Sequence, residues 1–318
     1  MTDNLAPRDR AAAGPGVQRG RSGGRTGLQP GQISQIVVIN KDTGERWVIL
    51  ETDRLVEAPN WTPDGRWLVL NAEGKLYRLA VDGAGGLQEI PITGLPRANN
   101  DHCLSWDGRT IYASAEGHLF SVPIEGGPAR RITKDRPAGE QYLYFLHGVS
   151  PDGTTLAHVA VQPVGADTFG RRNLALIPAT GGDDVFLSDS TGFDGPEYSP
   201  DGKWIYYNSE EAATQPGHAQ LFRIRPDGSG REQLTFDELV NWFPHVSPDG
   251  KWLVYVSFPP GTIGHPADLD ISIRLLPADG GTPRVLAEAF GGQGTMNVNG
   301  WAPDSVHFAC VLYPIRAS

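Results

Sequence analysis

Three histidines, one glutamate and two asparagines stand at equivalent places in this 318-residue sequence, two or three residues ahead of a recurring turn. The paired positions are Pro59/Asn60, His102/Cys103, His147/Gly148, Pro196/Glu197, Pro244/His245 and Asn299/Gly300. Imidazole and carboxylate groups act as donors and bases for proton transfer near neutral pH. They are equally the ligand set of a divalent-metal site. His102, His147, His245 and Glu197 are therefore candidate ligands for Mn, Zn or Ca. His147 and His245 are candidate catalytic bases, with Glu197 as their acid/base partner. Such a set suits proton abstraction beside a carbonyl, giving elimination or isomerisation of a sugar-like ligand, with a metal as Lewis acid.

Other polar and aromatic residues cluster around these positions in sequence. Asn100 and Asp101 precede His102, Asp194 precedes Glu197, and Asn241 and Trp242 precede His245. His265 falls in a long segment from Phe258 to Asp270, and Gln293 in the glycine-rich run Gly291–Thr295. With Asn60 and Asn299 they form a candidate ligand-binding set. A tryptophan face beside several hydrogen-bonding groups suits a sugar ring. The glycine-rich run lacks the lysine of a phosphate-binding loop, so nucleotide binding is not expected. His118, His158, His218 and His307 fall away from these positions and read as structural.

The elements that must position these groups follow from the turn itself. It reads Thr62-Pro63-Asp64-Gly65, Ser105-Trp106-Asp107-Gly108, Ser150-Pro151-Asp152-Gly153, Ser199-Pro200-Asp201-Gly202, Ser247-Pro248-Asp249-Gly250 and Ala302-Pro303-Asp304-Ser305. The steps of roughly 43 to 55 residues match a propeller blade. Each turn is followed by an aromatic, β-branched strand such as Trp252–Ser257. Most repeats carry a second glycine turn, as at Asp82-Gly83 and Asp227-Gly228, so four antiparallel strands, A to D, make one blade. Trp67, Trp204 and Trp252 recur just after the turn and read as blade packing.

The last repeat supplies strands A and B alone, whereas Ser34–Leu50 reads as strands C and D. The expected fold is all-β: a six-bladed β-propeller over residues 32–318, its last blade closed by the N-terminal strands. Residues 1–31, rich in Gly, Arg, Ala and Pro, read as a disordered tail or an appended extension. They lack the apolar stretch of a secretory signal, which makes the cytoplasm the default location. In a propeller of this kind the turn face lies opposite the loops from strand D to the next strand A. The positions ahead of each turn are expected to mark the channel mouth on that opposite face.

Composition narrows the partners. A net charge of −10 argues against nucleic acid and anionic membranes. No run approaches the ~20 apolar residues of a membrane span. Cys103 and Cys310 are the sole cysteines and read as buried free thiols.

The Ser-Pro-Asp-Gly-Lys-Trp pattern, with Ala-Pro-Asn-Trp-Thr-Pro-Asp-Gly at 58–65, resembles the Pro-Asp, WD40-like repeats of the TolB-like six-bladed propellers. That resemblance implies the fold and, as an alternative function, a non-catalytic scaffold holding a protein or peptide on the same face. The chain also looks like the propellers of the prolyl oligopeptidase group, but its repeats over residues 32–318 contain no Gly-x-Ser-x-Gly. A weaker similarity is to oligogalacturonate lyases, which hold a divalent metal with His and Gln side chains. His102, His147, His245 and Gln293 look like a comparable set, and Arg97 is the candidate partner for a substrate carboxylate.

Overall fold

A computed structural model describes residues 25–137, 139–165, 167–188 and 192–316, with side chains described except at 167–169. The chain is built from strands arranged as six antiparallel blades. The inner strands of blades 1 to 5 are Val56–Trp61, Ala98–Leu104, Leu143–Val149, Phe193–Tyr198 and Val240–Val246. Each pairs with the strand that follows its turn, and two further strands complete each of these sheets outward.

The recurring turn holds itself together. The Ser or Thr hydroxyl donates to the Asp carboxylate at 2.6–2.7 Å in blades 1 to 5. The same oxygen accepts the backbone N–H five residues on, at the start of the next strand, at 2.9–3.0 Å. Hydroxyl and backbone donors hold the Asp64 and Asp152 carboxyls down at about 2. These aspartates are thus turn-forming groups rather than acids for chemistry. The tryptophans after the turn are capped by cations: Arg78 over Trp67, Arg223 over Trp204 and Lys41 over Trp252.

Blade 6 joins the two ends of the chain. Ser34–Asn40 pairs with His307–Leu312 on one side and Arg46–Thr52 on the other. The innermost place is filled by Thr295–Trp301, tied to His307–Leu312 by the Trp301–Phe308 bridge, Ala309 N–H to Gly300 O and Val311 N–H to Thr295 O. Strand alternation sends Ile36 and Val38 toward Leu68 and Leu70 of blade 1. It sends Val37 and Ile39 toward Val254 and Val256 of blade 5. One strand therefore joins two blade interfaces.

Folded packing begins ahead of residue 32. Arg25 is buried, forms an ion pair with Asp268 at 2.6 Å and lies 3.8 Å over the Tyr313 ring. Within the tail expected over 1–31, Arg25 is thus anchored to the fold while most of residues 26–31 are exposed, and the first 24 residues lie outside the described ones.

Candidate functional site

Each inner strand of blades 1 to 5 breaks its ladder once, midway along. In blades 1, 4 and 5 the bulge is Ala58-Pro59, Gly195-Pro196 and Phe243-Pro244, and its first residue holds a φ of 56–59°. In blade 3 the bulge residue is His147, between the paired Leu146 and Gly148. A bulge re-aims the side chain it carries. Beyond it the ladder resumes, so residues two before the turn face the channel and those three before face away. Asn60, Cys103, Gly148 and Glu197 obey the first half of this rule, and all four line one pocket, whereas His245, also two before its turn, does not line it and Asn299, three before, does. His102 obeys the second half. It sits in a regular pair with Ala113 and turns its Nε2 toward Val69 O of blade 1. His147 escapes the rule because it is itself the bulge, and it too lines the pocket.

The pocket has a volume of about 210 Å³. Its wall is apolar and aromatic, with Trp61, Trp106, Tyr198 and Trp301, and its polar groups are His147, Glu197, Asn60 and Asn299. Pro63, Ser105, Pro248 and Pro303 of the turns line it as well. It opens on the turn face, not on the opposite face expected from the sequence. The reason is simple geometry: the inner strand ends at its turn, so residues just upstream lie closest to that face.

Glu197 is the hub of the floor. Its carboxylate accepts from Asn299 Nδ2 at 2.6 Å, from Val246 N–H at 2.8 Å and meets His245 Nδ1 at 2.7 Å. His245 Nε2 faces Met296 O at 2.9 Å, so both ring nitrogens meet oxygen atoms. His245 O in turn accepts Trp301 Nε1–H at 2.9 Å. His245 therefore stands behind the pocket wall and is not among its lining residues. Asn60 Nδ2 donates to Asn299 O at 2.5 Å, while Asn60 Oδ1 and Trp61 Nε1 find no partner among the described residues.

The second polar group lies deeper, beyond His147. His147 Nε2 is 3.3 Å from Asp194 Oδ1, and its Nδ1 is 3.3 Å from Asn297 O. Burial would lower the His147 imidazole, but the charges of Asp101 and Asp194 outweigh it and raise its pKa. Burial raises the Asp101 carboxyl to about 6, against the pull of His147. For Asp194 burial is outweighed by the His147 hydrogen bond and charge, which hold it low. His265 meets Gln293 Oε1 at 2.5 Å and packs against the rings of Trp242 and Phe243. Burial lowers its pKa, and that of His102 to about 4. Asn100 donates to Glu57 at 2.9 Å. Asn241 is spent on Ser257 of its own blade and on Thr235 and Asp237 in the link from blade 4, and Trp242 lies in the blade 5 core.

The candidate set thus divides. Asn60, His147, Glu197 and Asn299 come together at the pocket, and Asp101 and Asp194 join His147 from the other end of the channel. His265 and Gln293 pair with each other, while Asn100, Asn241 and Trp242 make structural contacts. The proposed metal set of His102, His147, His245 and Glu197 does not assemble. Among the described residues no three His, Cys, Asp or Glu side chains stand together to hold an ion. His102 faces away for the strand reason above, and His245 has both nitrogens engaged. Trp106 was missed because it was counted as part of the turn. Its signal was a tryptophan where five of the six repeats carry proline.

Glu57 gives a pH prediction. Burial raises its carboxyl to about 7, opposed by the charge of Arg25 and the Asn100 hydrogen bond. The folded state therefore binds a proton more tightly than the unfolded chain, whose glutamate titrates near ~4.3. Stability from this group is full below that value and falls as pH rises toward 7. Glu57→Gln is expected to gain stability relative to the parent between pH 4 and pH 8. Thermal melts across that range check it, and a constant difference at all pH values rejects it.

Fold and site together define a six-bladed propeller with a recessed central pocket on its turn face. The chain belongs to the TolB-like propeller family, as its relatives show. It is 37% identical over 295 residues to the uncharacterized protein Atu1656 of Agrobacterium fabrum, covering 91% of this chain and 95% of that one. A solved propeller from Agrobacterium tumefaciens, provisionally assigned as TolB, superposes with a TM-score of 0.80 at 37% identity, over 89% of this chain and 99% of that one. An oligogalacturonate lyase solved with manganese shares the fold at a TM-score of 0.53 and 16% identity, over 83% of this chain and 75% of that one. No protein-family model matches the chain.

Proposed function

We propose that this protein is a binding propeller whose central pocket takes a compact, sugar-like ligand. The observation that carries this reading is the pocket's composition: aromatic walls around a floor of two amides, a carboxylate and an imidazole. Walls of this kind cover the apolar face of a ring, and a few placed polar groups read its hydroxyls. Binding fits better than proton transfer because the candidate acid and bases are already engaged. Glu197 takes three donors, and each ring nitrogen of His147 and His245 faces an oxygen. The lyase reading also loses its metal set, so no reaction step is assigned to an ion.

The test is calorimetric titration and saturation-transfer NMR with a panel of methyl glycosides and uronates. At least one member is expected to bind saturably. Asn60→Ala, which removes an amide from the wall, is expected to weaken it by about tenfold. A panel in which nothing binds, while a peptide or protein does, transfers the pocket to the scaffold reading.

A further inference from the structure

The turns of neighbouring blades touch in a regular way. A methyl group placed on Gly108 would lie 3.1 Å from Pro63 of blade 1, and one on Gly65 would lie 3.9 Å from Pro303 of blade 6. The same pairing joins Gly202 to Pro151 at 3.6 Å and Gly250 to Pro200 at 3.9 Å. Between blades 5 and 6 Ser305 replaces the glycine, and its hydroxyl accepts Asp249 N–H at 3.0 Å. So the proline of four turns, Pro63, Pro151, Pro200 and Pro303, seats against the turn of the next blade. The seam from blade 2 to blade 3 differs. A methyl group on Gly153 would meet nothing within 4 Å. The residue that should fill that seat is Trp106.

The indole has gone elsewhere. Its Nε1–H donates to Val149 O of blade 3 at 3.1 Å, which fixes the ring's orientation. It lines the central pocket and remains 39% exposed. Packing across the seam does not account for this choice, because proline stands at the equivalent place in the other five turns and the seat at Gly153 is left empty. A large aromatic held in place yet left open to solvent at a pocket rim is what a stacking contact requires.

We propose that Trp106 is the stacking platform of the pocket and sets its ligand class: a pyranose-sized ring whose C–H face lies on the indole. The inference rests on the sugar-binding reading above. It assigns the contact to the one seam where the repeat gives up its proline, and it treats that loss as stability exchanged for binding.

The test uses the full chain and the glycoside that binds best in the panel. Trp106→Pro restores the repeat and stiffens the turn, so its melting temperature is expected to equal or exceed the parent's. Its affinity is expected to fall by about tenfold or more, as for a buried aromatic anchor. Trp106→Phe keeps a ring and is expected to stay within about threefold of the parent. Three outcomes overturn the proposal and are told apart by their pattern. If Trp106→Pro binds within twofold of the parent while Asn60→Ala still loses affinity, the pocket reading survives and the stacking role fails. If Trp106→Pro and Trp106→Ala both melt well below the parent, Trp106 is a packing residue. If the parent binds no glycoside, the sugar reading fails and takes this inference with it.

Discussion

Glu197→Ala is expected to lose roughly 3–5 kcal/mol of stability, from buried donors left without an acceptor at ~1–3 kcal/mol each. The side chain is almost fully buried, and three donors converge on it from blades 5 and 6. Alanine leaves the Val246 N–H, the Asn299 amide and the His245 ring without their acceptor in the channel wall. Because those donors belong to two other blades, the damage spreads across the ring rather than staying in blade 4. Glu197→Gln keeps an acceptor oxygen and is expected to cost about 1–2 kcal/mol. Urea unfolding followed by tryptophan fluorescence checks both values. An alanine variant within 1 kcal/mol of the parent would show that the network is not what ties these blades together.

The second large effect concerns ring closure. A chain lacking residues 1–52 loses both outer strands of blade 6. Ile36, Val37, Val38 and Ile39 are each at most 1% exposed. At about 1.5–3 kcal/mol per buried aliphatic side chain, these four contribute about 6–12 kcal/mol. That approaches the whole stability of a typical domain, about 5–15 kcal/mol. The deletion also bares the edge of His307–Leu312, a template for pairing with other chains. The expected product is aggregated protein without a cooperative melt, read by size-exclusion chromatography and circular dichroism. A monomeric product with a sharp transition would show that blade 6 is dispensable.

Much of the fold was legible because the turn encodes itself locally. Ser, Asp and Gly each have a hydrogen bond or a backbone angle to satisfy within six residues, so the motif survives wherever the blade does. The half-blades at the two ends were legible for the same reason, since a turn without its outer strands is visible by counting. The site was legible only in part. Asn60, His147, Glu197 and Asn299 were found by position, but His102 and His245 were grouped with them wrongly. For His102 the reason is that a count from the turn treats two successive residues as equivalent, whereas a strand points them to opposite sides. His245 shares the register of Asn60 and Glu197 and is held behind the wall by Glu197 and Met296 O. The bulge that sends His147 inward is set by backbone angles that no residue type in blade 3 announces. In blades 1, 4 and 5 the proline after the bulge was a usable signal, and it marks non-regular strand rather than chemistry.

The bridge between Gln32 and Ile315 has a topological consequence. Arg316 N–H donates to Gly31 O, and Ile33 N–H to Pro314 O, so the two ends of the described chain already run side by side. In a chain trimmed to these residues, a short linker there would close the polypeptide into a circle. Cutting that circle at an exposed turn such as Asp227-Gly228 would give a permuted chain with every strand pair of the ring intact. The architecture therefore depends on which blades are neighbours, and not on which of them the ribosome makes first.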